Sequence, residues 1–531
     1  MKRQGIPLII FSIIALLVLI FSVDLLSFGA DGIQYVQIAQ QWASGNWDAA
    51  LNAYWGPLVS WLMIPLLKLG VDPFLSFKIE RFITAIFFFW LCLRWLKRLG
   101  ISNFMYWLCL PVIAILPLQW MLHETPDLLY STLVLVWLEL ALGLKDKAKY
   151  PYIAGLVGAL LYLTKAFGFP FFASNLLVVL ILLGWYYKSA SSSYKLLKEG
   201  SIALGIFLGF SLIWILTISV HYEAAIIGTS GSYNQLMLGP DNSPTEIINS
   251  SFVLPTFAGN LEFPAEGQLS SWQEPYLSLD LADRSIIENS RHYALNLLRN
   301  CKALMYNDML FAFGLLFTLL VLASRFLKLK FERRDWFFVL LFGITVLNTV
   351  GGYMLILVQD RYLWSVEILL LFILILSIDR INRPKLVKGT ISFFSLGALF
   401  LLQLNLIAGT HTTGNWLAPY FDLKTQPELF DVDRMAAVGS ARPGEYRKAA
   451  LVSNYHKVSY HGLINQDYTS AEINTQLDMH DIDLVFELCE SGELKALTRW
   501  ASPNWILVKD EGASGSKRNW AYRIWRRSEK P

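Results

Sequence analysis

The sequence predicts a multi-span α-helical membrane protein with a small C-terminal domain of α/β or α+β class. Three observations predict it. Hydrophobic residues make up 55% of the chain against 16% charged, with a mean hydropathy of +0.45, so lipid rather than water must solvate much of it. Apolar runs long enough to cross a bilayer, about eleven of them, follow one another as far as residue 410. Beyond Trp416 the composition shifts to that of a small soluble unit.

The first run, residues 6–23, follows the basic start Met1-Lys-Arg and is longer than the apolar core of a secretory signal, so it reads as a retained first span. Next comes a polar stretch carrying Asp31, and then helical periodicity, with Tyr35, Ile38, Ala39 and Trp42 on one face and Gln34, Gln37 and Gln41 on the other. An uncharged amphipathic helix with aromatic residues suits the headgroup layer. Residues 55–70 are apolar but broken by Pro57 and Pro65, which predicts a segment lying along the membrane surface. The remaining runs fall at 74–93, 104–122, 128–144, 152–167, 169–187, 201–220, 304–324, 336–358, 362–378 and 390–409.

Basic residues fix the expected orientation. Lys2 and Arg3, Arg94 to Arg98, Lys145 to Lys149, Lys188 to Lys198, Arg325 to Arg334 and Arg380 to Lys388 recur at every second loop, as cytoplasmic clusters do. The intervening loops face outward: 24–73, the segment His123-Glu-Thr-Pro-Asp127, the Gly168 turn, the long loop 221–303 and Gln359-Asp-Arg-Tyr362. A transmembrane module over 1–410 and an extracytoplasmic domain over 416–531 follow. In the latter, strand-like runs at 449–453, 484–487, 505–508 and 520–525 are expected, the last two as a hairpin around Gly512 to Gly515. The Asn249-Ser-Ser tripeptide is a glycosylation sequon by pattern only.

Some chemistry is set aside at once. A net charge of +3, from 44 basic and 41 acidic residues in scattered short clusters, gives no nucleic-acid footprint. Four cysteines without ligand spacing imply neither a disulfide framework nor a metal knot, and His456, His461 and His480 read as surface or structural histidines. What remains is a set of ionisable groups at the outward surface: Asp31, His123, Glu124, Asp127, Lys165, Asp360 and Arg361. Charge near lipid is costly unless paired or used. Each has a bland reading, with Asp31 capping a helix, Asp360 and Arg361 pairing at a helix end, and Lys165 snorkelling. Together they suit an anionic lipid headgroup, where transfer at a lipid phosphate needs a base for the acceptor hydroxyl and a cation for the departing phosphate. Asp31 fits the first role and Lys165 or Arg361 the second.

The order Asp31, Tyr35-x-x-Ile-Ala, Ser44-Gly-Asn-Trp47, Tyr54-Trp-Gly-Pro-Leu-Val-Ser-Trp-Leu62, Thr125-Pro-Asp127-Leu-Leu, Ala154 to Lys165 and Arg361-Tyr-Leu-Trp resembles the C-type (GT-C) glycosyltransferases over about residues 1–380. Within them it is most similar to the group of lipid A aminoarabinose transferases, protein O-mannosyltransferases and rhizobial lipopolysaccharide-core transferases. The resemblance implies an inverting transfer from a polyprenyl-phosphate sugar to a glycan, lipid or protein acceptor at the outer side of the plasma membrane, the inner membrane of a bacterium. It implies Asp31 as catalytic base and Asp127 as second-loop acid, with Glu124 beside it, and no cofactor. A divalent cation shared by Asp31, Glu124 and Asp127 is the less favoured alternative. Two departures stand out: Gly32 where many members have a second acid, and Trp55-Gly56 where the aminoarabinose type has Lys-Pro. The second argues against aminoarabinose transfer. A flippase for a lipid-linked saccharide is the competing class, though its usual matched broken helices are not found in this sequence. A scaffold that has lost activity is a third.

Overall fold

In the computed structural model the described residues are 2–23, 29–187, 190–231, 286–306, 330–382 and 385–411, then most of 426–439, 449–490, 501–511 and 520–528, with isolated residues of the loops between. Helix α1 (Lys2–Val23) has a buried side of Phe11, Ala15 and Leu19 and an exposed side of Ile9, Ile13, Leu16 and Ile20. A helix apolar all round, with half its surface uncovered by protein, is one that lipid completes. Helix α2 (Ala30–Ser44), the short α3 (Trp47–Ala50) and α4 (Pro57–Lys68) lead into α5 (Pro73–Arg98), which bends 119° from α4. Phe11 of α1 stacks on Phe89 of α5 at 4.2 Å.

The bundle continues through α6 (Asn103–Trp120), α7 (Asp127–Ala141), α8 (Tyr150–Thr164), α9 (Gly168–Tyr187), α10 (Ala190–His221), α11 (Ile286–Tyr306), α12 (Arg333–Met354), a 3-10 turn (Asp360–Leu363), α13 (Trp364–Asp379) and α14 (Lys385–His411). By length and composition, among the described residues, 5 helices can cross a membrane, or up to 6 if the bent α4–α5 pair is one span. The apolar run expected at 304–324 lies mostly outside the described residues. Helix α13 is the centre, its side chains from Trp364 to Asp379 nearly all buried. At the end of the bundle away from Asp31, Arg94 and Arg98 bond Glu139 at 2.8 and 2.7 Å, and Arg380 bonds Asp335 and Asp379, each at 2.8 Å. The basic clusters of the sequence thus meet acids at that end.

The C-terminal part forms a mixed five-stranded sheet of order β2-β1-β3-β5-β4 from β1 (Arg434–Gly439), β2 (Ser459–Asn465), β3 (Leu484–Glu490), β4 (Trp505–Glu511) and β5 (Trp520–Arg527). Strand β1 pairs in parallel with β2 and β3, and β5 pairs antiparallel with β3 and β4, so the expected hairpin forms, its turn at 512–519 lying outside the described residues. Helix α15 (Ser470–Met479), opened by a Thr469–Glu472 capping box, crosses between β2 and β3 and packs Ile473 and Leu477 on the sheet. Residues 449–453 are not a strand: those described there are helical, with Ala449, Ala450 and Val452 buried. A short apolar run reads alike as strand or buried helix, and two alanines tip it towards helix.

A second correction concerns α2. Its glutamine face does not meet water: Gln34, Gln37 and Gln41 are buried beneath a strap from the long loop. Gln273 of the strap donates to Gln41 Oε1 at 2.5 Å and Ala49 O at 3.0 Å and accepts at its carbonyl from Asn52 at 2.5 Å, while Ser270 Oγ donates to Gln34 Oε1 at 3.2 Å. The same strap extends the sheet edge, Tyr460 N donating to Leu269 O at 2.7 Å beside a Ser270–Tyr460 bridge. Uncharged amides on α2 therefore bind another part of the chain, and the strap joins α2 to β2.

Candidate functional site

Helix α2 begins after Gly29, so Asp31 sits in its first turn with its carboxylate left over from capping. An acid there is favoured by the helix dipole. The carboxylate, about a fifth exposed, accepts from Arg361 Nη1 at 2.5 Å, a contact spanning 330 positions of sequence. Arg361 is held in turn by Gln359 Oε1 at 3.0 Å, and its Nε lies 3.9 Å from Asp127 Oδ2. It pairs with Asp31 rather than with its neighbour Asp360.

Asp127 opens α7 and is buried, and Lys165 Nζ donates to its Oδ1 at 2.8 Å. Lys165 does not snorkel. It sits in the tight turn between α8 and α9, its ammonium 3.3 Å from the centroid of Tyr362 and 5.1 Å from that of Tyr353. Two glycines make this turn. A Cβ at Gly168 would enter the carbonyl of Leu161, and one at Gly56 would enter the carbonyls of Leu163 and Thr164, so the chain just before Lys165 rests on the bare backbone of α4's start. The residue noted as a departure at 56 thereby sets where Lys165 stands.

Glu124 faces Gly29, whose backbone N–H donates to Oε2 at 3.3 Å. Burial pushes its carboxyl up to about 7, against the opposing pull of that N–H, Lys78 and Arg81. His123 rests against Trp364 at 5.6 Å, which stacks on Trp120 at 5.0 Å; burial and the nearby Arg361 and Arg81 push its imidazole down to about 4. It stays neutral at ordinary pH. The loop bearing Arg361 is fixed from α11, where Asn300 donates to Met354 O at 2.9 Å and accepts from Val358 N at 3.0 Å.

The structure thus brings Asp31, Asp127, Lys165 and Arg361 into one linked set of ion pairs, with Glu124 beside the start of α2. The three acids are partnered by Arg361, Lys165 and a backbone amide rather than by one another, and among the described residues no group of three or more metal-ligating side chains gathers. Missing from the sequence reading are Tyr353, Tyr362 and, above all, Arg81. Its signal was present: Glu80-Arg81 is a charged pair inside an apolar run, where an ionisable group marks function by default.

The fold is shared with solved structures of two membrane proteins, an ArnT and an oligosaccharyltransferase. The chain is similar to the crystal structure of ArnT from Cupriavidus metallidurans bound to undecaprenyl phosphate, with a TM-score of 0.54 and 13% identity over 97% of both chains. The apo state of that protein gives 0.54 and 12%, covering 99% of this chain and 98% of that one. The Archaeoglobus fulgidus oligosaccharyltransferase in complex with Zn and sulfate gives 0.50 and 12%, covering 98% of this chain and 73% of that one. No family profile and no curated protein matches the sequence.

Proposed function

We propose that this chain is a membrane glycosyltransferase that moves a sugar from a polyprenyl-phosphate donor to a glycan, lipid or protein acceptor outside the cytoplasm. The observation that carries the reading is the linked pair of ion pairs, Asp31–Arg361 at 2.5 Å and Asp127–Lys165 at 2.8 Å, at one end of a bundle whose fold is shared with an undecaprenyl-phosphate-bound protein. Two cations near two acids form a site that an arriving phosphate can re-partner.

In this reading the donor phosphate takes Arg361 and Lys165, since a phosphate carries more charge and more acceptor oxygens than either carboxylate. Asp31, released from Arg361, faces the acceptor hydroxyl. The acceptor oxygen forms its bond to the anomeric carbon as the carbon–oxygen bond to phosphate breaks. The electron pair leaves with the polyprenyl phosphate, and the acceptor proton passes to Asp31. Configuration inverts, and Asp127 holds Lys165 in place between turnovers.

The test is transfer from a labelled polyprenyl-phosphate sugar by purified protein in detergent. Wild type consumes the donor, and Asp31→Asn stays folded, binds polyprenyl phosphate and transfers nothing. Full transfer by Asp31→Asn removes Asp31 from the chemistry. Movement of the lipid only across a sealed bilayer, without consumption in detergent, makes the protein a flippase.

A further inference from the structure

Resting on the transferase reading, we infer that Arg81 is a third donor-binding cation, its guanidinium taking oxygens of the donor headgroup at the inner wall of the site. Arg81 lies on α5 two turns below its outer end, with its side chain 1% exposed. None of Nε, Nη1 and Nη2 has a hydrogen-bond partner among the described residues. Its neighbours are the Phe77 ring, whose centroid is 5.4 Å from the guanidinium carbon, and Glu80, whose Oε2 is 3.9 Å away, too far to accept a hydrogen bond.

A guanidinium presents five N–H donors, and leaving all of them unmet in a protein interior is among the costliest arrangements a fold can keep. It is kept where something else completes it. The direction of that something is given by its surroundings: Arg81 feels the charges of Asp127 and Glu124 and the phenol of Tyr35, which itself feels Asp31 and Arg361. Around Asp127 more polar atoms are buried without hydrogen-bond partners among the described residues, namely Asp127 Oδ2, Thr125 Oγ1, Tyr130 OH and Tyr353 OH. Donors and acceptors left over at one place describe a polar ligand. Phosphate oxygens and sugar oxygens share the chemistry that a guanidinium fork binds.

Because Glu80 would be stranded by removing Arg81 alone, the variant is Glu80→Gln/Arg81→Met, with Glu80→Gln as its control, both on the full chain in detergent. Affinity is read with sugar-free polyprenyl phosphate by its shift of the melting temperature, and transfer is read in membranes of the host with its own donor lipid. Glu80→Gln binds as wild type does. Loss of roughly tenfold or more in polyprenyl-phosphate affinity in the double variant places phosphate oxygens on Arg81. Unchanged affinity for the sugar-free lipid with transfer abolished places the sugar oxygens there. If affinity and transfer both persist in the double variant, the inference is overturned while the transferase reading stands; if wild type itself ignores polyprenyl phosphate, the transferase reading falls and takes this one with it. Should the double variant fail to fold, Arg81→Lys keeps the charge, removes the fork and is read by the same two measurements.

Discussion

Replacing Lys165 by Met should destabilise the folded protein by about 3 kcal/mol, and the loss should largely vanish when Asp127 is Asn as well. The figure follows from the geometry. Asp127 is 3% exposed at its side chain, and its only hydrogen-bonding cation among the described residues is Lys165 at 2.8 Å. At an effective dielectric of about 20 that pair attracts by about 6 kcal/mol, and Arg361 at 3.9 Å by about 4 kcal/mol. Desolvation offsets much of both, and breaking a buried pair by removing one partner costs about 3–5 kcal/mol. Arg361 remains to blunt the loss, though Asp31 claims it at 2.5 Å, which sets the expectation at the lower end. The assay is thermal melting of the full chain in detergent for wild type, Lys165→Met, Asp127→Asn and the double variant. A coupling energy of about 1.5 kcal/mol or more supports the pair. Additive single effects, or a Lys165→Met loss under about 1 kcal/mol, would refute the claim that Asp127 depends on Lys165.

Gly56→Ala should leave insertion intact yet lower transfer at least about tenfold, because the added Cβ enters the carbonyls of Leu163 and Thr164 and shifts the turn bearing Lys165; wild-type turnover in that variant would detach Gly56 from the site. Glu124 has its carboxyl raised from 4.5 to about 7 by burial, so the stability it lends is full below pH 4.5 and drains away as pH rises through 7. Melting temperatures measured across that window should slope less in Glu124→Gln than in wild type, and parallel slopes would contradict the assignment. In the sheet, His461 Nδ1 faces His480 Nδ1 at 3.1 Å, a contact in which one ring donates and the other accepts. Burial, with His480 and Arg434 adding to it, pushes His461 from 6.5 down to about 4. The stability held above pH 6.5 is therefore lost as pH falls through 4, and His480→Gln should shift that acid transition; an unmoved midpoint counts against the pair.

The helices were legible because lipid solvation leaves long apolar runs that no other environment explains, and every such run within the described residues is helical. The site was legible only as isolated charges. Asp31 and Arg361 stand 330 positions apart, and nothing local in either segment says that they touch. The periodicity of α2 is legible but the partner of its polar face is not, because a row of glutamines looks the same whether it meets solvent or a strap 232 positions away. Arg81 went unread for the opposite reason. Its neighbours Phe77, Phe82 and Phe88 are so apolar that the run reads as a span, and the charge inside it was absorbed into the average.

That asymmetry bears on how the site works. Asp31, the proposed base, stands on a helix held at Gln41 by Gln273 and at Tyr35 by Ser60 Oγ, which donates to Tyr35 O at 2.9 Å, and the strap over it is tied to the sheet edge at Tyr460. The cations stand on turns: Lys165 between α8 and α9, and Arg361 in a single 3-10 turn anchored through Asn300. Turns take up a few tenths of an ångström at little cost, whereas a helix buried under hydrogen-bonded amides does not. In the proposed reaction, a phosphate that re-partners Arg361 and Lys165 would draw the cations to itself and leave Asp31 where it was, so the distance from that acid to the acceptor hydroxyl would be set before the donor arrives. The fold thus sets where all three groups stand, the acid on a helix and each cation within the small play of its turn.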